Sequence, residues 1–218
     1  MQRVIERRTL AEQIAARVRD DVLSGALAAG RRLSQEALAE EYAVSRVPVR
    51  DALRILQAEG FVSAHPRFGT TVAPLTAPDL EELYEMRLAL EPMLSRRAST
   101  RVGREDVDEM RRELEVMAAA SEDSPAWFAA HAAFHRALNE RSGQKRISAL
   151  VDNLRSQTER YVRAYQALER PDAELYGAHE LILAAVERRK PDEVALLVAD
   201  HLTIVRDRML EHLGEETP

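Results

Sequence analysis

Four of the six histidines, at 65, 131, 135, 179, 201 and 212, stand at spacings that could hold an ion. His131 and His135 are four residues apart, so on a helix they share a face. Trp127, Phe134 and Leu138 make that face apolar. His179 is followed by Ile182, Leu183 and Val186, and His201 lies among Val194, Leu197, Val198, Ile204 and Val205. Helical periodicity therefore turns four imidazoles, from three helices, toward one bundle interior. A single inward histidine is ordinarily a core side chain with a hydrogen-bond partner. Four left unpaired would cost about 1–3 kcal/mol each. A divalent cation would satisfy all four, because neutral imidazole is a common metal ligand.

A second constellation is basic. Arg46 and Arg50 are also four apart, on a segment whose apolar residues Val49, Ala52, Leu53 and Leu56 follow helical spacing. The two guanidiniums point away from that apolar stripe, from the N-terminal half of the helix, the part that reads base edges in a major groove. Arginine suits bidentate contact with guanine or phosphate. Ser45 and the helix N-terminus add donors for phosphate. Two arginines alone would read as a solvated face, so the assignment depends on the surrounding elements. Arg87 is an inward cation of another kind. It shares a face with Leu83, Tyr84, Leu90 and Leu94, and Glu91 one turn on is a ready partner.

The elements that must position these groups follow from periodicity and breakers. Leu10, Ile14 and Val18 mark a first helix that ends at Gly25. Ser34 caps a second, with Ala37, Leu38 and Tyr42 inward. Ser45 caps a third, which stops at Gly60. Phe61–Ala64 and Thr70–Ala73 flank a turn at 65–69 and predict a β-hairpin, with His65 and Arg67 at its tip facing DNA. Residues 74–79 read Pro-Leu-Thr-Ala-Pro-Asp, a linker. Six helices are expected beyond it, over about 77–100, 104–121, 124–140, 144–168, 172–189 and 191–213. Pro92 removes a backbone donor inside the first of them and is expected to kink it. The fold is thus mostly α. Residues 1–75 form a winged helix-turn-helix, three helices plus a β-hairpin wing, and residues 76–218 form an all-α antiparallel helical bundle.

Composition agrees. The chain has 218 residues, no cysteine, 5% aromatic residues and 17 Gly plus Pro, which disfavours disulfides, thiolate metal sites and a turn-rich all-β fold. Residues 1–75 net +2 and residues 76–218 net −8, a division consistent with a DNA-facing head. No apolar run approaches the roughly 20 residues that span a bilayer, and no apolar stretch follows Arg3, Arg7 and Arg8. Neither membrane insertion nor a cleaved leader is expected, and the cytoplasm is the expected location.

The run Leu33–Leu53, with Val-Ser-Arg-Val-Pro-Val-Arg at 44–50, the continuation Leu56–Val62 and the wing Gly69–Val72 closely resemble the recognition region of GntR-family bacterial transcription regulators. The resemblance implies DNA contact by Arg46 and Arg50, with Ser45 and Pro48 at the same surface. Many relatives carry a basic residue where this chain has Glu36, which would repel phosphate. The second segment resembles the all-helical FCD ligand-sensing domain of the FadR subfamily. Many such domains bind a divalent metal through an Asp-x-x-x-His pair and two later histidines. Phe134-His135, His179-Glu180 and His201-Leu202 match that pattern, and His131 stands where the aspartate would. An all-nitrogen set favours Zn²⁺, Ni²⁺ or Co²⁺ over Mg²⁺ or Ca²⁺. By the same analogy Arg87 helps bind a small carboxylate effector beside the metal.

The expected function is therefore a homodimeric regulator that reads a palindromic operator in double-stranded DNA and responds to a small carboxylate metabolite. A metallohydrolase is a poor alternative, because no HExxH or nucleophile motif accompanies the histidines. A third reading makes the metal itself the signal.

Overall fold

The computed structural model describes residues 8–65, 69–120, 124–166 and 173–215. The chain divides into two compact units, Met1–Leu75 and Thr76–Pro218.

In the first unit, α1 (Leu10–Leu23) opens with a capping box. The Thr9 side chain accepts from the Glu12 amide, and Glu12 accepts in turn from the Thr9 amide. Ser34 caps α2 (Gln35–Glu41) by accepting from the Ala37 amide. Ala43 adopts a left-handed conformation (φ 51°) in the tight turn to α3 (Arg46–Ala58). Val49, Ala52, Leu53 and Leu56 of α3 are buried against Ile14, Val18, Phe61 and Val72. The hairpin pairs β2 (Val62–His65) with β3 (Gly69–Val72), one residue off the predicted limits at each strand. Sequence periodicity did not predict β1 (Arg32–Leu33), which pairs antiparallel with β3 and makes a three-stranded sheet of order β1-β3-β2. Two residues are too few to show an alternation.

The second unit is helical: α4 (Ala77–Ser99), α5 (Arg104–Ala119), α6 (Pro125–Asn139), α7 (Lys145–Gln166), α8 (Ala173–Glu187) and α9 (Pro191–Glu215). Thr76 caps α4 through the Asp79 amide, and Ser124 caps α6 through the Trp127 amide. α4 continues as a helix through Pro92. A 3₁₀ turn at Glu140–Ser142 follows α6, and Gly143 (φ 73°) takes a left-handed conformation there that a side chain would strain. α4 packs most extensively on α9, and α5 on α6. Tyr84, Leu94, Phe134, Ile182 and Leu202 are among the fully enclosed core side chains. Among the described residues no helix is long and apolar enough to cross a membrane.

Candidate metal centre and nucleic-acid interface

α6, α8 and α9 bring His131, His135, His179 and His201 together, with one donor nitrogen from each lying within 4.8 Å of the others. His135 Nε2 and His179 Nε2 are 3.2 Å apart. His135, His179 and His201 are buried, and His131 is partly exposed. The apolar spacing that predicted these inward faces also supplies their packing. The His131 ring stacks on Trp127 at 5.0 Å between centroids, and Phe134 meets His135 and His179 edge-on.

Burial holds the imidazoles of His131, His135 and His201 well below the ordinary value of 6.5. Neighbouring cationic charge, from Arg155 and the other histidines, pushes the same way. Neutral imidazole is the ligating form. His201 Nδ1 is buried with no partner. Four imidazoles in one small volume, three of them held neutral and one with an orphaned ring nitrogen, fit a divalent cation.

Beside the cluster lies a cavity of about 50 Å³ lined by Tyr84, Arg87, Trp127, His131, Arg155 and His201 among others. Arg87 is indeed inward, and Glu91 is its partner: Arg87 Nε donates to Glu91 Oε1 at 2.6 Å, and Nη1 donates to Thr158 Oγ1 at 2.8 Å. Arg155 Nη2 donates to the other Glu91 oxygen at 2.6 Å. Burial works against the Glu91 charge, but Arg155 and Arg87 outweigh it and hold the carboxyl below its ordinary range. Sequence reasoning missed Arg155 and Thr158. The signal was present, because Val151 and Leu154 place Arg155 on the buried stripe of α7.

In the first unit, Arg46 and Arg50 are exposed on α3, and Arg54 extends the same row by one further turn. Ser45 begins the helix, but its hydroxyl makes no capping bond; like Arg46 it is exposed, while Pro48 is half-buried. Arg46 Nη2 lies 3.1 Å from Glu36 Oε1. Glu36 is thus paired with Arg46. His65 ends β2 at an exposed position. Arg67 lies outside the described residues.

Residues 10–72 match the model of "Bacterial regulatory proteins, gntR family", and residues 82–203 match the FCD domain. The chain is 27% identical, over 86% of its length and 80% of the relative's, to the gluconate operon transcriptional repressor of Bacillus licheniformis. It is 29% identical, over 89% of its length and 98% of the relative's, to the HTH-type transcriptional regulator LutR of Bacillus subtilis. Among solved structures, E. coli McbR/YncC superposes with a TM-score of 0.79 at 24% identity, covering 94% of this chain and 99% of that one. A putative GntR regulator from Rhodococcus sp. RHA1 gives 0.78 at 23%, covering 92% and 97%.

Proposed function

The chain belongs to the gntR family of bacterial regulatory proteins with an FCD domain, a family of DNA-binding transcription regulators and not of enzymes, and from that premise we propose how its two units work. The first unit reads a palindromic operator as one half of a cytoplasmic homodimer, with Arg46 and Arg50 at base edges or phosphates and Ser45, Pro48, His65 and Arg67 at the same surface. The second unit holds a divalent metal, Zn²⁺ in preference to Ni²⁺ or Co²⁺, through His131, His135, His179 and His201. It receives a small carboxylate beside the metal, where Arg87 and the cation balance the negative charge. Effector binding shifts operator affinity through a coupling of about 1–3 kcal/mol.

The observation that carries this reading is the convergence of four imidazoles from three helices, three of them buried, beside the cavity that Arg87 also lines. When bound, the metal supplies a Lewis-acidic anchor for an anion. Burial holds His131, His135 and His201 neutral, and Trp127 and Phe134 pack against the imidazoles and orient them. Elemental analysis and native mass spectrometry of the purified protein test the metal and the dimer, with about one zinc per chain expected. Operator titrations with the double variant Arg46→Ala/Arg50→Ala test the reader. A loss of specific binding of at least about tenfold is expected, and equal binding by variant and wild type at moderate salt overturns the assignment.

A further inference from the structure

We infer that the effector is a compact monocarboxylate with an apolar body, its oxygens held by Arg155, Tyr84 and Trp127, and not a polyhydroxy acid; this rests on the effector reading above and narrows it. Donors outnumber free acceptors at the cavity wall.

Three side chains there are buried and carry unused donors. Arg155 has no hydrogen-bond partner at Nε or Nη1, Trp127 has none at Nε1, and Tyr84 has none at its hydroxyl. Asp152 stands 3.6 Å from Arg155 Nη1, too far for a hydrogen bond. Buried polar groups in folded proteins are satisfied by protein, water or ligand. Unused N–H and O–H groups from α4, α6 and α7 around one cavity therefore call for an acceptor-rich occupant.

Most acceptors in and behind the wall are engaged, the second Glu159 oxygen and the Tyr84 hydroxyl oxygen excepted. Glu91 receives Arg87 and Arg155. Glu159 receives Arg163 at 2.6 Å. Thr158 Oγ1 receives Arg87 and gives its own proton to the Arg155 carbonyl. The orphaned His201 Nδ1 belongs to the imidazole cluster. A single ligand hydroxyl could donate to the second Glu159 oxygen or to the Tyr84 oxygen, but the several hydroxyls of a polyhydroxy acid outnumber these acceptors, and an unpaired buried hydroxyl is costly. The rest of the wall is Phe128, Val162, Leu202 and Val205, which suits carbon. The volume of about 50 Å³ favours a short molecule.

The test uses the full chain saturated with zinc. Trp127 is the sole tryptophan and stacks on His131, so its fluorescence reports binding. Titrations compare isovalerate and benzoate with gluconate and with uncharged isobutyramide. Isovalerate or benzoate should bind at least about tenfold more tightly than gluconate or isobutyramide. Arg155→Gln should weaken isovalerate binding about tenfold or more, and Tyr84→Phe several-fold. Should Arg155→Gln fail to fold, calorimetric titration of Tyr84→Phe and Trp127→Phe decides, because each removes one donor and keeps an aromatic side chain. Gluconate binding as tightly as isovalerate overturns the inference and leaves the effector reading standing. So does isovalerate binding that these folded variants do not change. If no carboxylate of either kind binds by about 10 mM, the effector reading falls, and this inference with it.

Discussion

At the residue scale the imidazole cluster makes a prediction about pH. In the metal-stripped protein, burial holds His131, His135 and His201 below 6.5, so the unfolded chain binds more protons than the folded one as pH falls. Stability is whole above about pH 6.5 and declines below it, by about 1.4 kcal/mol per pH unit for each imidazole kept neutral by the fold. Thermal denaturation of chelator-treated protein between about pH 7.5 and 5.5 checks this. A midpoint that does not fall in that window means the folded state accommodates the protons. Glu36 makes a second prediction. It sits beside Arg46 with both side chains largely in solvent, so the pair itself adds little stability, but it offsets the Arg46 charge. Glu36→Gln should raise operator affinity and steepen its salt dependence by up to about one in log–log slope. Binding isotherms across a range of sodium chloride would reveal this, and an unchanged slope would place Glu36 away from the duplex.

At the element scale, α3 does two jobs on two faces. Its inner face is fixed by Val49, Ala52, Leu53 and Leu56, all buried, and this anchoring is what presents Arg46 and Arg50 as a rigid pair. Leu56 is fully enclosed. Leu56→Ala should destabilise the first unit by about 3 kcal/mol through lost burial and a residual cavity. Operator binding should weaken sharply while any metal content, which would depend on α6, α8 and α9, stays the same. Chemical denaturation, DNA anisotropy and elemental analysis on one preparation would separate the two effects. In the other unit, α4 and α7 lock Arg87, Glu91, Arg155 and Thr158 into one buried network. Two guanidiniums sharing one buried carboxylate leave cationic capacity for an incoming anion.

At the scale of the whole molecule, the charge division sets the division of labour. A chain of net charge −6 still carries +2 in its first 75 residues, and local charge governs duplex binding. Two copies related by a two-fold axis would place their α3 helices in major grooves about one turn apart. The expectation is a species of twice the chain mass in analytical ultracentrifugation, and an operator whose binding collapses when the half-sites are moved apart by about half a turn, roughly 5 base pairs. Binding that ignores that change of spacing would remove the two-fold model.

Much of this was legible from residue order. Apolar spacing of three and four, together with Ser34, Thr76, Gly25 and Gly143, set where helices begin and end, because capping and backbone preference are local. The Val-Ser-Arg-x-Pro-Val-Arg run pointed to a DNA reader, and the inward faces of α6, α8 and α9 were visible as periodicity. Convergence was not. Periodicity says that His135, His179 and His201 point inward, but only tertiary packing decides that their nitrogens arrive within 4.8 Å of one another. The Arg155–Glu91 pair spans 64 positions, and β1 joins the sheet by two residues paired to a strand nearly forty positions away. Local chemistry fixes elements and faces; the long-range closure of the chain decides which side chains share a site.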